Sequence, residues 1–309
     1  MNNDIPLVQI IVLNYNNFKD TIDCLNSLAD LTYPNYKVLI IDNASEDDSV
    51  KRIHKWLIEQ ERDFQILGED SLFNIKTLPD FILVIKNKNT GYAGGNNTGI
   101  RLAIKNGARY VWILNNDTTV HPDALTELVK VAERQPMIGI VGSKIYFFDN
   151  PDRIWFSSGY YVTDKRCDIT EMVEKDVMVI SGCSFLIKKE LIDDIGFLWE
   201  GYFLYFEEND YCMRARRNGW KVYFSPLSKV YHKVSRSVGE NSPMFLYYKA
   251  RNYMLYTLRN DMEPLWLSFL FTVKEYLLPS LINIRLNHLK YLFKAYKDFL
   301  KIYLTRGYR

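Results

Sequence analysis

The chain lacks several marks of other protein classes. Its four cysteines (Cys24, Cys167, Cys183, Cys212) form no C-x-x-C pair and no histidine-interleaved ladder. That excludes a disulfide scaffold or a zinc ribbon and fits reduced thiols in a cytosolic setting. Neither sign of charge dominates: the net charge of +2 argues against a general nucleic-acid binder. Internal repeats and low-complexity tracts are absent. The first apolar run, residues 8–13, is short and follows no basic stretch, so it reads as a buried strand and not as a signal peptide. A second apolar block, residues 265–273, is too short and too soon interrupted by Lys274-Glu275 and Pro279 to read as a membrane span.

What is present is ordinary in amount and uneven in place. The 309 residues are 48% apolar and 25% charged, enough to bury a core without metal or disulfide staples. Aromatic residues reach 15%, with 22 Tyr against 17 Phe, and such amphipathic rings suit sugar clefts and membrane interfaces as well as cores. Residues 264–309 hold eight Lys or Arg against Glu275 and Asp298, a balance of +6 that leaves −4 for the rest.

The first half alternates short apolar runs with helical segments, the pattern of βαβ units in a mostly parallel sheet. Strands are predicted at 8–13, 36–41, 81–85 and 110–114, with helices after the first, second and third. Residues 61–80 have no strong period and read as an inserted loop. A Gly/Asn-rich turn precedes a helix at 95–106. The second half is predicted to hold short strands at 140–147, 177–187 and 220–224 and a helix at 208–218. Polar clusters fall at the carboxyl ends of successive strands, where open α/β sheets bind ligands.

Three clusters carry chemistry. Asn115-Asn116-Asp117 puts a carboxylate at a strand end; it suits a turn, or a hard-cation site on a diphosphate. Lys88-Asn-Thr-Gly91-Tyr-Ala-Gly94-Gly95-Asn96-Asn97-Thr-Gly99 has glycines that let backbone N–H groups approach an anion, but not the G-x-G-x-x-G spacing of a dinucleotide site; a plain glycine-rich connection explains it too. Glu207-Glu208-Asn209-Asp210 opens a helix that continues with Arg214, Arg216 and Arg217, a favourable arrangement on the helix dipole. Adjacent carboxylates also raise one another's pKa, which suits a general base. His232 lies 24 residues beyond Glu208 and gains interest only from that company.

Together these segments resemble the inverting family-2 glycosyltransferases of the GT-A fold, in particular the rhamnosyl- and galactofuranosyltransferase-like branch. The resemblance spans about residues 7–260. It rests on Val12-Leu13-Asn14-Tyr15-Asn16, Ile41-Asp42-Asn43-Ala44-Ser45, the Asn89–Gly99 stretch with Leu114–Asp117, and Phe206–Trp220, in the family's order. It implies an α/β fold with a mixed, mostly parallel sheet flanked by helices, plus C-terminal amphipathic helices. It further implies that Asn14, Asn16 and Asp42 hold the base and ribose of a nucleotide-diphospho-sugar. Asn89, Gly94 and Asn97 would then lie along the diphosphate and sugar, and Asn116 would face the ribose or phosphate. Asp117 and His232 stand where the family binds Mg2+ or Mn2+, and Glu208 where it places the catalytic base. One departure is Asn115, which replaces the first acid of the family's D-x-D motif and leaves Asp117 as its one carboxylate.

In residues 286–304 Leu286, Leu289, Phe293, Tyr296, Leu300 and Tyr303 recur at helical spacing beside Lys290, Lys294, Lys297 and Lys301. Such a helix lies on an anionic membrane surface, or packs on the catalytic domain or on a second copy in a homodimer. The expectation is a catalytic domain over 1–260 and a basic, aromatic helical segment over 261–309. The enzyme would be a cytoplasmic one on the inner face of the membrane, passing a sugar from a UDP- or dTDP-sugar to a glycan or lipid-linked glycan. A sugar nucleotidyltransferase would need a basic glycine-rich loop after the first strand, and Asn14-Tyr-Asn-Asn17 is none. An inactive sugar-nucleotide-binding module would have no use for intact Asp117, Glu208 and His232.

Overall fold

The computed structural model describes residues 5–71, 78–157, 160–161, 174–234, 242–305 and 307; Cys167, Arg306 and Arg309 lie outside them. Its centre is parallel: β1 (Val8–Asn14), β2 (Tyr36–Asp42), β3 (Phe64–Gly68), β4 (Phe81–Ile85) and β5 (Tyr110–Asn115). The sheet continues through β6 (Thr118–Val120), β7 (Ile138–Phe147), β8 (Asn150–Ser157), β9 (Tyr160–Tyr161), β10 (Lys175–Asp176), β11 (Ser184–Lys188) and β12 (Lys221–His232). The order is β10-β12-β7-β11-β5-β1-β2-β4-β3, with β11 antiparallel to β5 and β7.

Both faces of the central strands are covered, which is why they are apolar without alternation. On one face Val8, Ile10 and Val12 of β1 meet α1 (Phe18–Leu28), α2 (Ser49–Glu59) and α4 (Ala124–Ala132). On the other, Ile11, Leu39 and Ile41 meet α3 (Gly91–Lys105), α5 (Lys189–Ile195) and α6 (Glu207–Arg217). Strand register then sets the site. Asn14 pairs with Asp42 and Leu13 with Asn115, so three polar strand tips lie side by side at one sheet edge.

Several expectations are corrected. Residues 64–68 are a strand and not part of an inserted loop; β3 is the exposed edge, and Leu67 is its one buried residue, so no apolar pattern announces it. The glycine-rich segment is not a turn before α3 but its first turns. Gly95 and Gly99 face β1, where an added Cβ would meet Leu13 at 2.4 Å and Ile11 at 2.8 Å, so these glycines serve close helix–sheet packing. The strand expected over 177–187 is confined to β11, because residues 181–183 turn before it. The strand expected at 220–224 runs on to His232.

Beyond the sheet, α7 (Pro243–Arg259) leads to α8 (Leu265–Thr272), a π turn, α9 (Leu278–Ile282) and α10 (Leu286–Leu304). Residues Leu265–Ile282 form one continuous helix, apolar and long enough to cross a membrane by length and composition, with 17% of it buried. Lys274-Glu275 sits in the π turn and Pro279 directly after it, where the helical ladder is already irregular, and the helix runs on through both. The helix is inside out. Ser268, Thr272 and Ser280 are its buried side chains, each hydroxyl donating to a carbonyl of the preceding turn, while Trp266 (61% exposed), Leu270 (52%) and Ile282 (78%) face outward. The apolar arc expected on α10 mostly faces outward, and the helix buries a different face. The buried face is Leu292, Ala295 and Phe299, with Tyr296 packed against α7; Leu286, Phe293 and Leu300 stay outside among the lysines. An apolar groove of about 430 Å³ lies between α7, α8 and α10, lined by Met254, Trp266, Phe269, Phe299 and Leu300 among others.

Candidate functional site

The site grows from the strand tips. Asp42 is wholly buried: its carboxylate accepts from the Asn14 amide at 2.7 Å and from the Ser45 backbone N–H at 2.9 Å. Asn14 is equally buried and accepts from the Thr21 hydroxyl at 2.7 Å. Asn16, in a left-handed turn at φ 52°, is exposed and accepts from the Glu46 N–H. Thus Asn14 and Asp42 build the floor of the loop, and Asn16 stands on its surface. Asn116 joins this network, its amide donating to Thr21 at 2.9 Å.

Asn43 follows Asp42 at the same tip and pins the start of α3. It donates to Asn89 and to the Gly91 carbonyl and accepts from the Thr90 N–H. Asn89 in turn accepts from the Gly91 N–H. Gly91 has φ 71°, and an added Cβ would stand 2.2 Å from the Phe203 carbonyl oxygen. Gly94 abuts Thr90. Asn97 is buried, with its amide donating to the Leu198 carbonyl and to Glu200 and its oxygen accepting from the Leu198 N–H. It braces the 198–200 segment from inside and presents nothing to a surface.

The pair read from the sequence as metal-binding is brought together by pairing of β6 with the end of β12, which sets His232 opposite Thr118. His232 Nε2 stands 3.2 Å from Asp117 Oδ1, both residues being buried. Among the described residues neither Asp117 Oδ1 nor His232 Nδ1 has a hydrogen-bond partner. A buried carboxylate facing an imidazole with an unsatisfied oxygen suits a divalent cation. No group of three or more His, Cys, Asp or Glu gathers there among the described residues, so the remaining ligands would be water and diphosphate oxygens. Lys233, the next residue, is buried between Asp20 and Asp23 at 2.6 Å each and ties α1 to this corner.

The acidic cluster separates into three environments. Asp210 is consumed by structure: it pairs with Arg214 and Arg259 and accepts from Asn260. Glu207 is 2% exposed, and Oε1 has no partner among the described residues; burial, and then the charge of Glu208, push its carboxyl well above the ordinary range. Glu208 is the one partly exposed carboxyl of the first two. Its dry surroundings raise it as well, while its own backbone N–H and that of Gly182 favour the charged form. Tyr92 donates to the Gly182 carbonyl beside it. Burial raises the Tyr92 phenol, and the charges of Glu208 and Glu207 add to this. Glu208 lies against Gly182, where an added Cβ would stand 3.3 Å from its carboxyl carbon, and the carbonyl of the next residue, Cys183, accepts from the Asn115 N–H two residues before Asp117.

Sequence reasoning did not single out Asn43, Tyr92 or Lys233. Asn43 and Tyr92 sit within the quoted segments, but their bonds run to partners remote in sequence. Cys24, Cys183 and Cys212 are buried free thiols, raised by burial.

Residues 9–196 match the family described as Glycosyl transferase family 2, and residues 110–292 match Glycosyl transferase family group 2. The chain is 24% identical over 241 residues to the poly-beta-1,6-N-acetyl-D-glucosamine synthase of Staphylococcus aureus (strain COL), which takes in 75% of this chain and 51% of the synthase. It is 25% identical over 196 residues to the low-salt glycan biosynthesis hexosyltransferase Agl10 of Haloferax volcanii, covering 60% of this chain and 62% of that one. It therefore spans about half the length of the first and under two thirds of the second. A solved mannosyltransferase from Pyrobaculum calidifontis, in complex with GDP-Man and Mn2+, shares the fold: TM-score 0.61, 14% identity, 96% of this chain and 88% of that.

Proposed function

From the premise that this chain belongs to glycosyl transferase family 2 and has the GT-A fold, we propose that it transfers one sugar, with inversion, from a nucleotide-diphosphate donor to an acceptor hydroxyl. The observation that carries the reading is the buried Asp117–His232 pair just beyond β5, with Glu208 against Gly182 in the turn that leads into β11, the strand paired with β5. Glu208 takes the acceptor proton as the oxygen attacks the anomeric carbon; its raised pKa and partial exposure suit a base that meets an incoming hydroxyl. One base and one displacement give inversion. Asp117 and His232 would hold Mg2+ or Mn2+, which supplies positive charge against the leaving diphosphate. The presence of Mn2+ with GDP-Man in the solved mannosyltransferase of the same fold supports a divalent cation here. The loop shaped by Asn14, Asp42 and Asn116 and topped by Asn16 receives the base and ribose, and the start of α3 around Asn89 and Gly94 lies along the diphosphate and sugar.

The acceptor is a growing surface polysaccharide or lipid-linked glycan, a reading supported by the relationship to the glucosamine-polymer synthase and to the glycan hexosyltransferase. Residues 1–260 form the catalytic domain. Residues 261–309 dock it on the inner, anionic face of the membrane: the outward apolar side chains of the Leu265–Ile282 helix and of α10 enter the interface, and Lys290, Lys294, Lys297 and Lys301 meet the headgroups.

A panel of UDP-, dTDP- and GDP-sugars tests this through melting temperature with Mn2+, Mg2+ or EDTA, since a bound donor stabilises by mass action. One donor class should raise the melting temperature in a metal-dependent way, and its turnover should release nucleoside diphosphate and give a product inverted at the anomeric carbon. No stabilisation by any nucleotide-sugar, or retention at the anomeric carbon, would refute the reading.

A further inference from the structure

The segment Gly201–Phe206 delivers the chain to Glu207 and Glu208 by an uncommon path. Phe203, Tyr205 and Phe206 have φ of 67°, 70° and 77°, three bulky residues in left-handed conformation. Each costs on the order of 1 kcal/mol, and such strain persists only where the surroundings over-determine it. Here they do, because every carbonyl of the strap is engaged. Arg251 donates to Gly201 and Tyr202. Asn252, wholly buried, donates to Tyr202 at 3.0 Å, Leu204 at 2.7 Å and Tyr205 at 3.1 Å. The Tyr92 N–H takes the Phe203 carbonyl at 2.7 Å, and the Asp210 N–H takes that of Phe206. Arg251 also donates to Asn252 Oδ1 at 2.8 Å, fixing which way the amide faces. No side chain caps α6, so the strap leads directly into its first turn. The same network reaches the tail: Arg251 donates to the Tyr247 hydroxyl, which donates to Asp298 on α10.

We infer that Asn252, oriented by Arg251, is a positioning residue that holds the Gly201–Phe206 strap in its left-handed course and so fixes where the Glu208 carboxylate meets the acceptor hydroxyl. This rests on Glu208 being the base. Asn252→Ala leaves the Leu204 and Tyr205 carbonyls without a donor and Tyr202 with Arg251 alone, which frees the strap to relax, and a base displaced by about 1 Å loses on the order of 100-fold in rate.

The assay is release of nucleoside diphosphate from the donor that stabilises the protein in the panel above, with donor affinity by calorimetry. Asn252→Ala should lower kcat by about 10- to 100-fold with donor Kd within about twofold of wild type. In a Glu208→Gln background the same change should cost less than about twofold, because nothing remains to be aimed. Arg251→Lys, which keeps the charge but loses the two-carbonyl hold, should repeat the pattern more mildly and serves if Asn252→Ala fails to fold. Equal losses in both backgrounds, or normal kcat in Asn252→Ala beside an inactive Glu208→Gln, would overturn the inference and leave the base reading standing. A Glu208→Gln enzyme with normal turnover fails the base reading by itself and takes this inference with it.

Discussion

Glu207 and Glu208 are neighbours in sequence, the first buried and the second partly exposed, and exchanging each for its amide separates their roles. Glu208→Gln removes proton acceptance with little change in volume. It should reduce transfer by about 100- to 10,000-fold, or about 2.7 to 5.4 kcal/mol at 1.36 kcal/mol per decade, while donor affinity stays near wild type. In the wild type, the acid limb of kcat should lie above the ordinary glutamate value of 4.5, because the base must be ionised and its surroundings raise it. Glu207→Gln replaces a buried carboxyl whose surroundings disfavour its charged form, so transfer should survive. Its effect is on stability, and the sign follows from linkage. Below pH 4.5 the Glu207 carboxyl is protonated in both folded and unfolded chains and costs nothing. Above it the unfolded chain ionises first, so stability falls as pH rises towards the raised folded value. The amide escapes this cost by about 1.4 kcal/mol for each unit of elevation. Thermal melts should show Glu207→Gln more stable than wild type at pH 7.5 and equal to it at pH 4. An equal shift at both pH values would refute the linkage argument, and loss of transfer in Glu207→Gln with turnover kept in Glu208→Gln would show that the roles are reversed.

Other expectations are briefer. Asp117→Ala should weaken donor binding when Mn2+ or Mg2+ is present and leave it unchanged in EDTA, with His232→Ala milder; calorimetry showing equal wild-type affinity with and without metal would refute the cation site. Gly91→Ala places a Cβ 2.2 Å from the Phe203 carbonyl at φ 71° and should cost more than about 1–2 kcal/mol, read as a lower denaturation midpoint; a neutral result would mean that the strap is slack. Replacing Lys290, Lys294, Lys297 and Lys301 with Gln should release the protein from anionic liposomes at about 1 kcal/mol per lysine, with donor hydrolysis intact. Continued sedimentation with the vesicles would assign the outward apolar face to a second copy of the chain.

The alternation of apolar runs and helical segments, with Asn14, Asp42 and Asn115 at the ends of strands, already specified a parallel α/β sheet with a polar edge. Those signals are local, since a strand covered on both faces must be apolar throughout and a helix must bury one stripe. The family motifs were legible for the same reason, being short and contiguous. What the sequence could not supply was the choice of partner for each polar side chain. Asp42 and Asn97 read as ligand contacts but turn inward, because the loops around them need donors and acceptors that lie 28 and 101 residues away. His232 reaches Asp117 only through the register of β6 on β12, and Asn252 reaches the strap only because α7 crosses it. The Leu265–Ile282 helix carries Ser268, Thr272 and Ser280 on one side and large apolar residues on the other; which side is covered depends on where α7 and α10 lie. Composition and period fix which segments form and which stripe is apolar, whereas long-range register and packing decide which polar atoms are spent on the scaffold and which remain for chemistry.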